Sequence, residues 1–250
     1  MLEIRGERMP ENHGRTPRSD RVGVWQIDLD DVMQRSAAPI RAALSPEERL
    51  RSALMPDPVL RSRFEAARGA ARHILGQCLG RPPARLTWHT GRWGKPRIAG
   101  HEDTMRFNLS HSGGHALLAV TGPRDIGVDL ERSQPSRDVV ALSHRYFPAE
   151  ESALVAETAE DRRPGVFLTL WTRKEACTKA AGTSMLGHGL RLVVTAAPVA
   201  EGAVLAHDPT QRLPGRWLVH DISAPAGHGA AVALEGDAPA HLTIRQWEPQ

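Results

Sequence analysis

Two short stretches of this chain hold most of the side chains able to do chemistry. In Ile126-Gly127-Val128-Asp129-Leu130-Glu131 a single residue separates the two acids. On a strand that spacing puts both carboxylates on one face, with Val128 and Leu130 on the other. Like charges that close repel and favour a cation between them. Hard carboxylate oxygens suit Mg2+ or Mn2+, which complete their shells with water and substrate phosphate. The second stretch, residues 170–179, reads LWTRKEACTK. On a helix, Glu175 and Lys179 lie one turn apart on one face. Glu175 would then be a third carboxylate for the metal, and the Lys179 ammonium would reach the bridging oxygen of a substrate's phosphates. A solvated edge strand would carry the same paired acids, and a surface Glu–Lys pair the same helical spacing.

Lysine is scarce here. Of 32 Lys and Arg side chains, just Lys95, Lys174 and Lys179 are lysine. Where arginine is the general surface cation, a lysine suggests a place that the wide planar guanidinium does not fit. Lys174 receives no role from its spacing.

The rest of the composition bounds the setting. A chain of 250 residues is long enough for one large domain or two of about 120. No apolar run approaches the roughly 18 residues that span a bilayer, so no membrane association is expected. Residues 1–21 are polar and mixed in charge and are expected to be a disordered lead-in. Cys78 and Cys177 sit on apolar stretches of predicted helix and form no disulfide framework, which suits a reduced, cytoplasmic protein. The net charge of +3 fits a phosphorylated ligand or an acidic protein partner and is too slight for nucleic acid. Arg61, Arg63, Arg68 and Arg72 read by spacing as a solvated helix face. His89, His101, His144 and His188 show no zinc-ligand spacing.

The elements that must position the acids and lysines can be read from periodicity. Strands are expected at 22–29, 85–89, 105–109, 115–120, 125–131, 190–195, 216–222, 229–235 and 241–247. A long amphipathic helix is expected over 57–79, shorter ones within 137–156, and another from 164 to 181. "VWQIDLD" (24–30) is echoed by "DIGVDLE" (125–131), and "GHALLAVTG" (114–122) by "GHGAAVALEG" (227–236). These echoes predict an α+β fold of two duplicated halves, 22–123 and 124–250, about a pseudo-two-fold axis, with the site in the cleft between them.

The pattern I-G-V-D-x-E, followed about 40 residues later by W-T-x-K-E-A-x-x-K, resembles the signature of the 4'-phosphopantetheinyl transferases. It is most similar to the two-domain group typified by the surfactin-synthetase activating enzyme. Gly94-Lys95-Pro96 and Phe107-Asn108-Leu109-Ser110-His111-Ser112 match the group's G-K-P and F-N-x-S-H-S. The resemblance implies transfer of the phosphopantetheine arm of coenzyme A to a serine of an apo acyl, polyketide or peptidyl carrier protein, with adenosine 3',5'-bisphosphate released. It implies a magnesium-dependent, monomeric enzyme that binds neither nucleic acid nor membrane. On this chain it makes Asp129, Glu131 and Glu175 the metal ligands, Glu175 also the base for the serine, and Lys179 the cation beside the pyrophosphate. It makes Lys95, Asn108, Ser110, His111 and Arg68 coenzyme A residues. The group's S-P-E-K segment reads Ser45-Pro46-Glu47-Glu48 here. Glu48 cannot bind phosphate, so that contact is lost or passes to Arg51 or Arg49. Residues 132–150, beside the metal strand, are expected to dock the carrier through Val140, Leu142, Tyr146 and Phe147, with Arg137 at the rim.

Two rival classes use the same residues: a non-catalytic carrier- or nucleotide-binding module, and a metal-dependent phosphohydrolase. The lysines give a direct test. If Lys179 must aim a compact ammonium into a crowded site, Lys179→Arg should lower kcat at least about tenfold, equivalent to about 1.4 kcal/mol of transition-state stabilisation. KM for coenzyme A should change less. Wild-type turnover in steady-state assays would reduce Lys179 to a surface cation.

Overall fold

A computed structural model describes residues 3–4, 18–91, 94–134, 136–183, 192–194, 202–210 and 215–249. In chain order its elements are β1 (Glu3–Ile4), β2 (Arg21–Asp28), α1 (Leu29–Ala43), α2 (Pro46–Ala53), α3 (Pro58–Leu79), β3 (Trp88–Thr90), β4 (Pro96–Ile98), β5 (Arg106–Ser112) and β6 (His115–Thr121). There follow β7 (Ile126–Arg132), α4 (Val139–Tyr146), α5 (Ala149–Glu157), α6 (Arg163–Ala181), β8 (Ala203–His207), β9 (Arg216–Asp221), β10 (His228–Glu235) and β11 (His241–Gln246). The architecture is α+β, as the sequence predicts.

The chain divides into two compact units. The first comprises Leu2–Thr90, Pro96–Pro123 and Ala240–Gln250, and the second Gly91–Lys95 and Arg124–Pro239. The last strand departs from the sequence reading, which gave 124–250 to one half. β11 pairs in parallel with β2, Leu242 opposite Val22 and Ile244 opposite Val24, and Trp247 just beyond it enters the first unit's core. Of the expected lead-in, Glu3–Ile4 forms a strand beside β11 and Arg21 opens β2; residues 5–17 lie outside the described residues. The strand expected at 190–195 is described at 192–194 alone, where Val193 bridges to His207.

In the first unit the sheet order is β1-β11-β2-β6-β5, with β3 and β4 as a separate hairpin. Its core gathers Ile27, Leu29, Ile40, Ala67, Ala71, Ile74, Phe107 and Leu118 from β2, α1, α3, β5 and β6. Asp57 caps α3, accepting from the Val59 and Leu60 N–H groups, and Gly80 ends it in the left-handed conformation. Helix α2 is unusual in burying Glu48 and Ser52. Ser45 and Glu48 form a reciprocal capping box. Glu48 also pairs with Arg72 at 2.6 Å, both side chains under a tenth exposed.

In the second unit a β7-β10-β9-β8 sheet carries α6 across one face. The strands leave room for it. Gly229 stands opposite Glu131, Ala231 opposite Asp129 and Ala233 opposite Gly127, so small residues alternate toward the helix. The closest approach is at Gly127. A Cβ there would lie 2.0 Å from the Ala176 carbonyl oxygen and 2.5 Å from the Ala180 nitrogen. Backbone, rather than a flexible side chain, would have to yield. Gly127→Ala is therefore expected to lower unfolding free energy by about 2–3 kcal/mol or more in urea titrations. Gly165→Ala, where an added Cβ meets nothing within 4 Å, is the control and should be neutral or stabilising by up to about 1 kcal/mol.

Candidate active site

Strand β7 is hydrogen-bonded through Ile126 to Arg132 with β10, so its pleat is regular and Asp129 and Glu131 share the face turned to α6. Leu168 of α6 lies over Gly229, and the helical stripe Leu168, Thr172, Glu175, Lys179 follows at spacings of four, three and four residues. The structure thus brings the β7 acids and the helix pair onto one another. Lys179 Nζ donates to Asp129 Oδ1 at 2.6 Å, with Asp129 2% exposed. The Glu175 carboxyl is pushed up to about 7, first by burial, then by the Asp129 carboxylate, with Lys179 opposing and Glu131 adding to the rise. That shift registers three carboxylates crowded around too little positive charge. Among the described residues no three acidic, imidazole or thiol groups already stand in metal-ligand geometry.

The residues that the resemblance assigns to coenzyme A are distributed differently. Lys95 belongs to the second unit, where its ammonium donates to the carbonyl of Ala180 and pairs with Asp125 at 3.1 Å. It therefore sits at the C-terminus of α6, beside Gly182 in the left-handed conformation, where the helix end is negative. The others lie in the first unit. Arg51 and Arg68 stand together over the Phe64 ring, 5.2 and 5.7 Å from its centre. Burial and the neighbouring Arg51 and Arg72 charges lower the pKa of Arg68, while Glu48 opposes them. On β5, Asn108 and Ser110 are buried. His111 is exposed and shares its face with the core residue Phe107, so Ser110 and His111 point to opposite sides of the sheet.

Several sequence readings are corrected. Arg72 is 1% exposed, donates to the Leu86 carbonyl and stands 4.2 Å from the centre of the Trp88 ring. Arg63 forms a bidentate pair with Asp30. The arginines of α3 are therefore largely structural rather than a solvated face. Arg49 donates to the Leu44 carbonyl at 2.6 Å. In the expected carrier-docking segment, Phe147 is a core residue stacked on Phe167. Val140, Leu142 and Tyr146 pack against the same core, because α4 needs its apolar stripe to hold on to α6. Exposed there are Arg132, Arg137 and Arg145, together with Asp138, His144 and Glu150. Spacing also missed the partner of Lys174: its ammonium is wholly buried against Glu151 of α5, and no local signal links two residues on separate helices. A depression of about 450 Å3 lined by Leu154, Val166, Thr169 and Arg173 contains none of the acids or lysines discussed above.

With this geometry in hand, the chain was compared with known proteins. A profile of the 4'-phosphopantetheinyl transferase superfamily matches residues 125–233, which span β7 to most of β10. The 4'-phosphopantetheinyl transferase HetI of Nostoc sp. is 36% identical over 230 residues, 91% of this chain and 93% of HetI. AcpT of Escherichia coli K12 is 30% identical over 161 residues, 64% and 75% of the two chains. The transferase psf-1 of Bacillus pumilus is 31% identical over 119 residues, 48% and 49%. The chain belongs to the 4'-phosphopantetheinyl transferase superfamily and is a transferase enzyme.

The raised Glu175 pKa has a stability consequence in metal-free protein. Folded Glu175 holds its proton up to about 7, whereas in the unfolded chain it is lost near 4.5, so stability falls as pH rises through that window and is fully reduced above it. Glu175→Gln should remove the loss. In EDTA, urea titrations should show the variant about 2–3 kcal/mol more stable than wild type at pH 8 and little different at pH 4.5. An equal difference at both pH values would sever Glu175 from the acidic cluster.

Proposed function

We propose that this enzyme moves the phosphopantetheine arm of coenzyme A onto the serine hydroxyl of an apo carrier protein, leaving adenosine 3',5'-bisphosphate. The observation that carries the reading is the convergence of Asp129, Glu175 and Lys179 between β7 and α6, with Glu131 on the same strand face. Burial, and then the charges of Asp129 and Glu131, lift Glu175 toward neutrality; three such carboxylates suit a hard divalent cation, and Asp129, Glu131 and Glu175 would hold it. When bound, Mg2+ or Mn2+ would neutralise the pyrophosphate oxygens.

The chain's own groups supply the remainder. Glu175, on the helix face turned to Asp129, is assigned the role of base that takes the serine proton during attack. Lys179 offers a compact cation for the charge that develops on the leaving pyrophosphate. Arg51 and Arg68, stacked on one ring, make a cationic seat for a phosphate remote from the reaction, and binding there fixes the substrate's register. With Glu48 consumed by Arg72 and Arg49 by Leu44, Arg51 takes the place of the group's missing lysine. Lys95, Asn108, Ser110 and His111 complete the coenzyme A set, Lys95 through its hold on the end of α6. The carrier is met by charge, through Arg137 and Arg145. In each unit the opening strand pairs antiparallel with the Gly-His strand, β2 with β6 and β7 with β10, which supports reading the chain as two duplicated halves. We read the enzyme as a cytoplasmic monomer; both cysteines are free thiols.

The test is to incubate the protein with coenzyme A, Mg2+ and a panel of apo carriers and to weigh the carriers by mass spectrometry. At least one carrier should gain the arm. Asp129→Ala, Glu131→Ala and Glu175→Ala should each abolish the gain while folding normally, and phosphate release without a carrier should be negligible. Arg68→Ala should narrow the preference for coenzyme A over dephospho-coenzyme A, since one charge-assisted contact contributes on the order of 1.5–3 kcal/mol. Near-normal transfer by Asp129→Ala would overturn the metal assignment, and hydrolysis of coenzyme A by water alone would make the protein a phosphohydrolase.

A further inference from the structure

Lys174 is the lysine of the 170–179 stretch that the reaction leaves without a task. It stands where an apolar side chain is expected. Phe167, Leu170, Lys174 and Cys177 follow one another along α6 at spacings of three and four residues, and the other three are core residues. The Lys174 ammonium pairs with Glu151 at 2.5 Å, both side chains 0% exposed. It also donates to the Leu192 carbonyl and stands 4.9 Å from the centre of the Phe147 ring. The other Glu151 oxygen accepts the Val194 N–H at 2.6 Å. One ion pair therefore joins α6 to α5 and to residues 192–194.

Stability alone is a poor reason for such a pair. Desolvation cancels much of the attraction between buried charges, and replacing both by well-packed apolar groups is often neutral or favourable. Direction is a better reason. A methionine or leucine in this stripe could pack over a range of helix rotations, whereas an ammonium must meet two oxygens at hydrogen-bond distance. The neighbouring stripe carries Glu175 and Lys179. Side-chain tips stand about 6 Å from a helix axis, so a rotation of about 10° moves them about 1 Å. Such a misplacement can cost about a hundredfold in rate.

We propose that Lys174, together with Glu151, is a positioning residue: it sets the rotation of α6 about its own axis and so holds Glu175 and Lys179 against Asp129. The kinetic half of this inference rests on the transferase reading; the structural half does not. The informative variant is Lys174→Met/Glu151→Leu, which removes both charges, because Lys174→Met alone strands Glu151 in the core. Its urea midpoint should stay near that of wild type. The coupling between Lys179 and Asp129, obtained from the midpoints of Lys179→Met, Asp129→Asn and their combination, should fall by at least half in that background. The kcat for transfer should fall at least tenfold, with KM for coenzyme A changing less than twofold. Coupling that persists at its wild-type strength overturns the proposal whatever the rate does, and so does wild-type kcat in the double variant. If the wild type transfers nothing, the transferase reading falls and the coupling still decides the question. Should the double variant not fold, Lys174→Arg/Glu151→Asp keeps the pair with altered geometry and is judged by the same coupling.

Discussion

Everything at the site depends on how near α6 can come to β7. Asp129 is almost wholly buried, yet it meets an ammonium carried by the helix. That is possible because position 127 carries no side chain and the adjoining strand offers Gly229, Ala231 and Ala233. Closeness has a cost: it buries Asp129, partly buries Glu131 and Glu175, and raises Glu175 toward neutrality. Burial and crowding thus weaken the resting protein and lift Glu175 above the ordinary carboxylate range. A roomier contact between helix and strand would leave a more stable protein with an ordinary carboxyl, a stronger acid and a weaker base.

The first unit solves a different problem with similar means. Buried polar groups link α2 to α3: Glu48 to Arg72, and Ser52 to Glu65, which also holds Arg41. Arg72 distributes its donors among a carboxylate and two carbonyls while lying on Trp88. Such networks fix side chains that apolar packing would leave free to shift. On the same two helices Arg51 and Arg68 both lie over the Phe64 ring.

How much of this was legible in the sequence varied with the range of the interaction. The acids of β7 and the Glu175–Lys179 pair follow from spacing within single elements, and long helices such as α3 and α6 announce themselves by period. Helices α1 and α2 do not. The first is interrupted by non-helical backbone at Ser36 and contains Pro39; the second turns Glu48 and Ser52 inward and leaves Leu50 and Leu54 exposed, inverting the usual signal. The assignment of β11 to the first unit was hidden because its partner, β2, lies at the other end of the chain. Lys174 was hidden for a related reason: its meaning lies in Glu151, which no periodicity connects to it.

All three lysines serve a single helix: Lys95 reaches its end from a distant part of the chain, Lys174 lies in its core stripe and Lys179 points toward the acids. Their side chains are 8%, 0% and 29% exposed. To an amine-reactive reagent, then, the lysine side chains of the protein offer effectively one nucleophile, Lys179, and it is the partner of Asp129. Acylation or labelling directed at lysine would therefore fall first on the Lys179–Asp129 pair, whereas chemistry directed at the abundant guanidinium groups would spread over the whole molecule.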